Sequence, residues 1–314
     1  MLKQFRRLLS AILIYPWAQL TLVLTLLFFS ALPTQAQSQP VRVIAFGAHP
    51  DDCDQGSGGL AAKYAALGNK VKFVSLTNGD AGHQSQQGEG LAKRRRSEAQ
   101  EAGRRIGIEY EVLGNHDGGL LPTLDVREQV IREIRQWKAD IVIAPRPNDY
   151  HPDHRYTGIV VQDASYMVTV PDIVADVPAL RQNPVFLYFS DHFTRPQPFR
   201  ADIVVSIDDV YDKKIDMLDA HVSQFYEWLP WHDDQLDQVP KDAVARRKWL
   251  MARKPSVIQT VKPEWREPLA KRYGAQAGHI QYAEAFEITE YGRQPNDEEI
   301  LKLFPFFPET ATRH

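Results

Sequence analysis

Six short apolar runs, separated by stretches of helical spacing or by polar loops, constrain this chain's fold more than any other feature. They are Val41–Phe46, Val71–Leu76, Tyr110–Leu113, Ala139–Ala144, Val185–Ser190 and Asp202–Ile207. Their length and their content of β-branched and aromatic residues are those of strands. Most place apolar side chains at consecutive positions, so neither face can be left to water. A largely parallel sheet with helices on both faces satisfies such strands. The covering helices are predicted at 58–67, ended by Gly68-Asn69, at Leu91–Ile106, and from an Asp125 cap to Trp137. Two more are predicted at 153–168 and from Asp208 to about His221. The fold class is therefore α/β, a Rossmann-like, mostly parallel sheet. The Trp-, Pro- and charge-rich segment at about 229–281 reads as a helical elaboration, with helices near 241–253 and 264–273. Ala285–Ile288 reads as a returning strand and the tail after Arg293 as a surface wrap. The chain has no internal repeat and no low-complexity tract.

The first residues stand apart from that core. Lys3, Arg6 and Arg7 precede an apolar stretch from Ala11 to about Leu32, and Thr34-Gln35-Ala36 offers small residues for a signal peptidase. Residues 1–36 are expected to be a signal peptide that exports a mature domain, 37–314, to the periplasm. The alternative is an uncleaved N-terminal membrane anchor, since the run approaches the roughly 20 residues that span a bilayer. Loss of three basic residues and no acidic one takes the net charge from −3 to −6. That balance argues against non-specific nucleic-acid binding, which needs a basic surface. After cleavage no stable membrane association is expected. Cys53 is the only cysteine, so no intramolecular disulfide can form.

In an open α/β sheet, ligands bind beyond the carboxyl ends of the strands. The first strand ends in Gly47-Ala48-His49-Pro50-Asp51-Asp52, where a dinucleotide-binding turn would carry glycines. An imidazole and two carboxylates there repel phosphate and attract a cation. The fourth strand ends in Pro145-Arg-Pro-Asn-Asp-Tyr150, and a second set, His151-Pro152-Asp153-His154, follows it. One such tetrad alone reads equally well as a turn with an aspartate helix cap. Two, each after a strand, point to a shared metal. His49, Asp52 and His154 would supply two nitrogens and one carboxylate, leaving a coordination position open as catalytic sites do.

The paired tetrads resemble those of the PIG-L (LmbE-like) family of zinc-dependent N-deacetylases. Further pieces fit the same family: Gly58-Gly59, Thr77-Asn78-Gly79-Asp80, Arg95 with Glu98, Asp117-Gly118, His221-x-Ser223-Gln224 and Ala283-Glu284-Ala285-Phe286. The resemblance implies that His49, Asp52 and His154 hold the metal. It implies Asp51 as general base, His151 as oxyanion stabiliser and Asp153 as the carboxylate orienting His151. Arg95 and Asp117 fall where relatives contact the sugar. Zinc is the implied cofactor, and iron(II) or cobalt(II) suits the same donors. Cys53 and Asp149 depart from the pattern, standing where many relatives carry glutamate and some carry tyrosine.

The implied reaction is metal-dependent hydrolysis of an N-acyl, chiefly N-acetyl, group on an amino sugar or glycoconjugate. The partner is then a small molecule or glycan. Two alternatives stand beside it: an amidohydrolase for a non-sugar amide, and a non-catalytic sugar- or metal-binding module. Asp51 and His151 favour catalysis, because binding alone requires neither.

Overall fold

The computed structural model describes residues 39–252 and 260–308. The expected signal segment, 1–36, lies outside them. One seven-stranded sheet organises the chain: β1 (Arg42–Gly47), β2 (Lys70–Thr77), β3 (Glu109–Asn115), β4 (Ile141–Ala144), β5 (Val185–Phe189), β6 (Ile203–Ser206) and β7 (Ala283–Gly292). Their spatial order is β3-β2-β1-β4-β5-β7-β6. The first five pair in parallel, and β7 runs antiparallel to both β5 and β6.

Both faces are covered, as the apolar runs require. Val43 and Ala45 of β1 point into a core with α1 (Asp52–Ala66) and α2 (Gly88–Ile106), through Leu60, Ala61, Ala99 and Ala102. Ile44 and Phe46 point the other way, into a core with α3 (Leu124–Trp137) and α4 (Pro152–Met167), through Val130, Ile134, Val160 and Ala164. Strand order reverses between β1 and β4, which opens a crevice at their carboxyl ends. The two tetrads sit at those ends.

Several boundaries differ from the sequence reading. Helix α1 starts at Asp52, not near Gly58, so its first turn carries the tetrad's second aspartate. The helix is interrupted at Ser57 (φ −148°, ψ 18°). A break there withdraws carbonyl partners from the N–H groups that follow. Those of Gly59 and Leu60 donate to the Glu284 carboxylate at 2.9 and 2.7 Å. Lys214, on α5 (Tyr211–Ala220), neutralises Glu284 at 2.7 Å and also donates to the Gln55 carbonyl at 2.7 Å. Glu284 and Lys214 are both fully buried. Helix α3 is capped by the Thr123 side chain, not by Asp125, which falls in its first turn.

The elaboration is helical. A π-helical turn (Ser223–Trp228) leads into α6 (Leu229–His232), followed by α7 (Ala243–Ala252) and α8 (Arg266–Tyr273). Trp265 and Leu269 pack on Val204 and Ala285 of the β6–β7 edge, while Leu250 packs on Ile215 and Leu218 of α5. The tail is not a surface wrap. Helix α9 (Asp297–Leu303) delivers Phe304 and Phe307 into the core beneath α1, where Tyr64 donates to the Leu303 carbonyl at 2.7 Å. Apolar residues after Arg293 outweighed the polar ones that suggested solvent.

Candidate active site

The turn after β1 is built to hold a carboxylate in place. The N–H groups of Ala48 and His49 both donate to Asp52 Oδ2, at 2.8 and 2.9 Å. The Ala48 carbonyl in turn accepts from the Thr77 N–H and from the Thr77 and Ser75 hydroxyls on β2. His154 arrives from across the switch point on the first turn of α4, with Pro152 at the helix start. Gly158, one turn on, lets that helix approach β4: a β-carbon there would lie 2.6 Å from the Pro145 carbonyl oxygen.

Three donor atoms converge. His154 Nε2 lies 3.2 Å from His49 Nδ1. Asp52 Oδ2 lies 3.6 Å from His49 Nδ1 and 3.5 Å from His154 Nε2. Ligand atoms about 2.0–2.2 Å from a tetrahedral ion are spaced roughly 3.3–3.6 Å apart, so the triangle has the size a divalent cation requires.

The outer nitrogens support the same reading. His154 Nδ1 faces Asp149 Oδ1 at 3.0 Å, and His49 Nε2 faces Asp117 Oδ1 at 3.1 Å and Asp153 Oδ2 at 3.4 Å. Protons held on those outer nitrogens leave lone pairs on the inner two. Two lone pairs and a carboxylate oxygen pointing at one another repel unless a cation lies among them. The Nε2 side of His49, with Asp117 and Asp153, is a second close grouping, as is the set of His49, His151 and His154. The Nδ1 triangle fits best, because its edges match a single ion and each histidine has a carboxylate behind it.

Asp51 is buried next to this triangle. Its carboxylate accepts from Arg95 Nη2 at 3.2 Å and from Gln55 Nε2 at 3.2 Å. Burial pushes its pKa up, with the Arg95 charge the main counterweight. The His151 ring stands edge-on to His49, with centroids 4.7 Å apart. Its Nδ1 accepts from the Asp153 N–H at 3.2 Å. In the neutral ring the proton then sits on Nε2, free to donate.

Three site residues depart from their expected surroundings. The Asp153 carboxylate does not engage the His151 ring. It accepts from the N–H groups of Gly118 and Leu120 at 2.7 and 3.2 Å and faces His49, because the helix start turns it back under the β3 loop. His151 is accordingly not held as a cation; burial and the neighbouring His49 and His154 push its pKa down. Arg95, expected to contact sugar, is only 2% exposed and directs its guanidinium to Asp51 and Asp117. Gly79 explains how it passes beneath the β2 loop. With φ +72°, a β-carbon there would lie 2.7 Å from the Arg95 side chain. Asp117 is buried too and turned toward His49.

Sequence reasoning missed Asp149 and Gln55 as parts of the site. Asp149 also accepts from the His151 N–H at 2.9 Å, so one carboxylate positions both histidines of the second tetrad. A carboxylate two residues before the tetrad was the available signal. Tyr150 lies over the His151 and His154 rings but is 73% exposed. Cys53 is fully buried beneath the turn, its thiol directed to the Ala45 carbonyl.

Comparison with known proteins agrees with this geometry. Residues 44–165 match the PIG-L model, described as GlcNAc-PI de-N-acetylase. Diacetylchitobiose deacetylase of Thermococcus kodakarensis is 30% identical over 203 residues, which span 60% of this chain and 73% of that protein. Mycothiol S-conjugate amidase of Streptomyces coelicolor is 28% identical over 187 residues, spanning 50% and 63%. The solved N,N'-diacetylchitobiose deacetylase of Pyrococcus horikoshii superposes with a TM-score of 0.57 at 25% identity, covering 79% of this chain and 83% of that one. Sheet, switch-point crevice and relatives together define a hydrolase of carbon–nitrogen bonds with a His/Asp cluster suited to a metal. The chain belongs to the PIG-L family of N-deacetylases.

Proposed function

We propose that this chain is an exported zinc N-deacetylase that removes the acetyl group from an N-acetylglucosamine-type amino sugar. The observation that carries the reading is the triangle of His49 Nδ1, Asp52 Oδ2 and His154 Nε2 with a buried, uncoordinated carboxylate, Asp51, adjacent in sequence. The relatives' substrates support an acetylated amino sugar. The basic and apolar N-terminal stretch supports export.

When bound, a divalent ion at the triangle supplies Lewis acidity to the acyl oxygen and acidifies water. The protein's own groups do the rest. Asp51 takes the proton of the attacking water and hands it to the departing amine, so one carboxylate serves both halves of the reaction. Arg95 and Gln55 fix its orientation. His151 Nε2–H donates to the oxygen on which charge develops. Asp149, Asp117 and Asp153 hold the two ligand imidazoles in the tautomers that direct lone pairs inward.

Acetate release from N-acetylglucosamine derivatives, with and without chelator, tests the function. Turnover that chelator abolishes and zinc restores is the expected result. Asp51→Asn should retain bound metal, measured by elemental analysis, while kcat falls about 10²–10⁴-fold. Tight sugar binding without acetate release from any derivative would instead favour a binding module.

A further inference from the structure

We propose that a cavity beside Asp52 and His154 is the subsite for the acyl group, sized for chains longer than acetyl. This rests on the deacylase reading above and specifies which amides the site takes. The cavity has a volume of about 160 Å³ and lies at the carboxyl ends of β1, β4 and β5. Asp52 and His154 form one end of it, and Gly47, Gly56, Pro145 and Phe189 supply apolar wall.

The position follows from what borders it. Two of the three candidate ligands line it, and so does Gln55, whose amide donates to the base Asp51 at 3.2 Å. A group inside therefore adjoins the metal triangle and the side chain that orients the base. The scissile carbon carries two substituents, the amine and the acyl chain. Arg95 and Asp117, the polar groups on the Nε2 side of His49, do not line this cavity, whereas its Nδ1 side faces Asp52 and His154, which do. The cavity thus lies on the side of His49 away from the buried Arg95 and Asp117.

Polar side chains also line the cavity, Arg146, Asp149, Ser190 and Asp191 among them, so a hydrocarbon chain would lie along the Gly47, Gly56, Pro145 and Phe189 side. Arg146 lines the cavity but is buried and largely engaged: Nε and Nη2 donate to Asp191 at 2.6 and 2.7 Å, Nη2 also to the Phe193 carbonyl, and Nη1 to the Gln197 carbonyl. Asp149, another lining residue, is occupied by His154 and His151. The one guanidinium in the lining is thus paired with Asp191. At about 30 Å³ per water-sized group, the volume holds roughly five such groups. An acetyl methyl fills only part of it.

Phe189 sets the far wall. Its ring lies flat against the backbone at Gly56, where a β-carbon would be 2.7–3.0 Å from three ring atoms. The ring can be trimmed or enlarged without touching a ligand or the base, which makes its size a direct measure of chain length.

The test is kcat/KM of the zinc-loaded full chain on the N-acetyl, N-propionyl, N-butyryl and N-pentanoyl amides of one amino sugar. The wild-type protein should turn over the butyryl amide within tenfold of the acetyl amide. Phe189→Leu should move the optimum to longer chains. Phe189→Trp should cut the butyryl and pentanoyl rates about tenfold or more relative to acetyl, the scale on which a pocket discriminates a methylene. The wild-type series decides the matter even if a variant fails to fold. A wild-type preference for acetyl above a hundredfold would overturn the subsite, as would variants that change all four amides equally. So would a change in sugar preference at fixed acyl length, which would place the sugar in the cavity. Those outcomes leave deacetylation standing, whereas no turnover of any of the four amides removes the deacylase reading itself.

Discussion

Asp149 transfers no proton in the proposed chemistry, yet its carboxylate is bonded to the ring of His154 and the backbone of His151. Outer carboxylates of this kind raise the basicity of a ligand imidazole and fix its ring, and losing one typically weakens metal binding about 10–100-fold. Asp149→Asn should show that loss in competition with a chelating dye, while Asp51→Asn should bind as the wild type does. Equal affinity in all three proteins would remove Asp149 from the site. The contrast marks what the sequence could disclose. His49, Asp52 and His154 were legible because each tetrad places its ligands within four residues, next to a proline and after an apolar run. Asp149 and Gln55 were not, because their roles depend on which way a turn directs a side chain. Asp153 shows the same limit from the other side: the family resemblance implied a pairing with His151, and the helix start turns the carboxylate toward His49 instead.

At the scale of elements, α1 is held on both sides of its Ser57 break by the pair of Lys214 and Glu284, Lys214 through the Gln55 carbonyl and Glu284 through the Gly59 and Leu60 N–H groups. Glu284 accepts the N–H groups freed at the Ser57 break, and Lys214 balances its charge where neither reaches water. Removing one partner of a buried pair leaves the other's charge uncompensated, at a cost of about 3–5 kcal/mol. Lys214→Met should therefore lower the denaturation midpoint by that equivalent. A midpoint within error of wild type would mean that the pair is dispensable. Strand runs and most helices were readable from apolar spacing. The early start of α1 was not, because the carboxylates and glycines of residues 51–59 resemble a loop until Glu284, far along the chain, completes their hydrogen bonding.

Across the whole molecule, the sheet's order explains why the residues of the candidate site come from two distant stretches. The reversal between β1 and β4 brings position 49 beside position 154, and every other chemical feature of the site is arranged around that junction. The C-terminal tail belongs to the same assembly. Phe304 is fully buried in the core shared with Tyr64 and α1. Phe304→Ala should destabilise the protein by about 3–5 kcal/mol, read from chemical unfolding, whereas a surface wrap would tolerate the change within about 0.5 kcal/mol.

The placement of β7 has a consequence for how the protein comes into being. Because β7 follows the other six strands in sequence yet lies between β5 and β6, and because Glu284 closes a contact with residues 224 and 225 positions earlier, the sheet cannot be completed until β7 has been made. Long-range closure of this kind slows folding. A chain lacking β7 would leave β5 and β6 without their shared neighbour and the Gly59 and Leu60 N–H groups without their acceptor, while the turn that carries His49 and Asp52 would keep its bonds to β2.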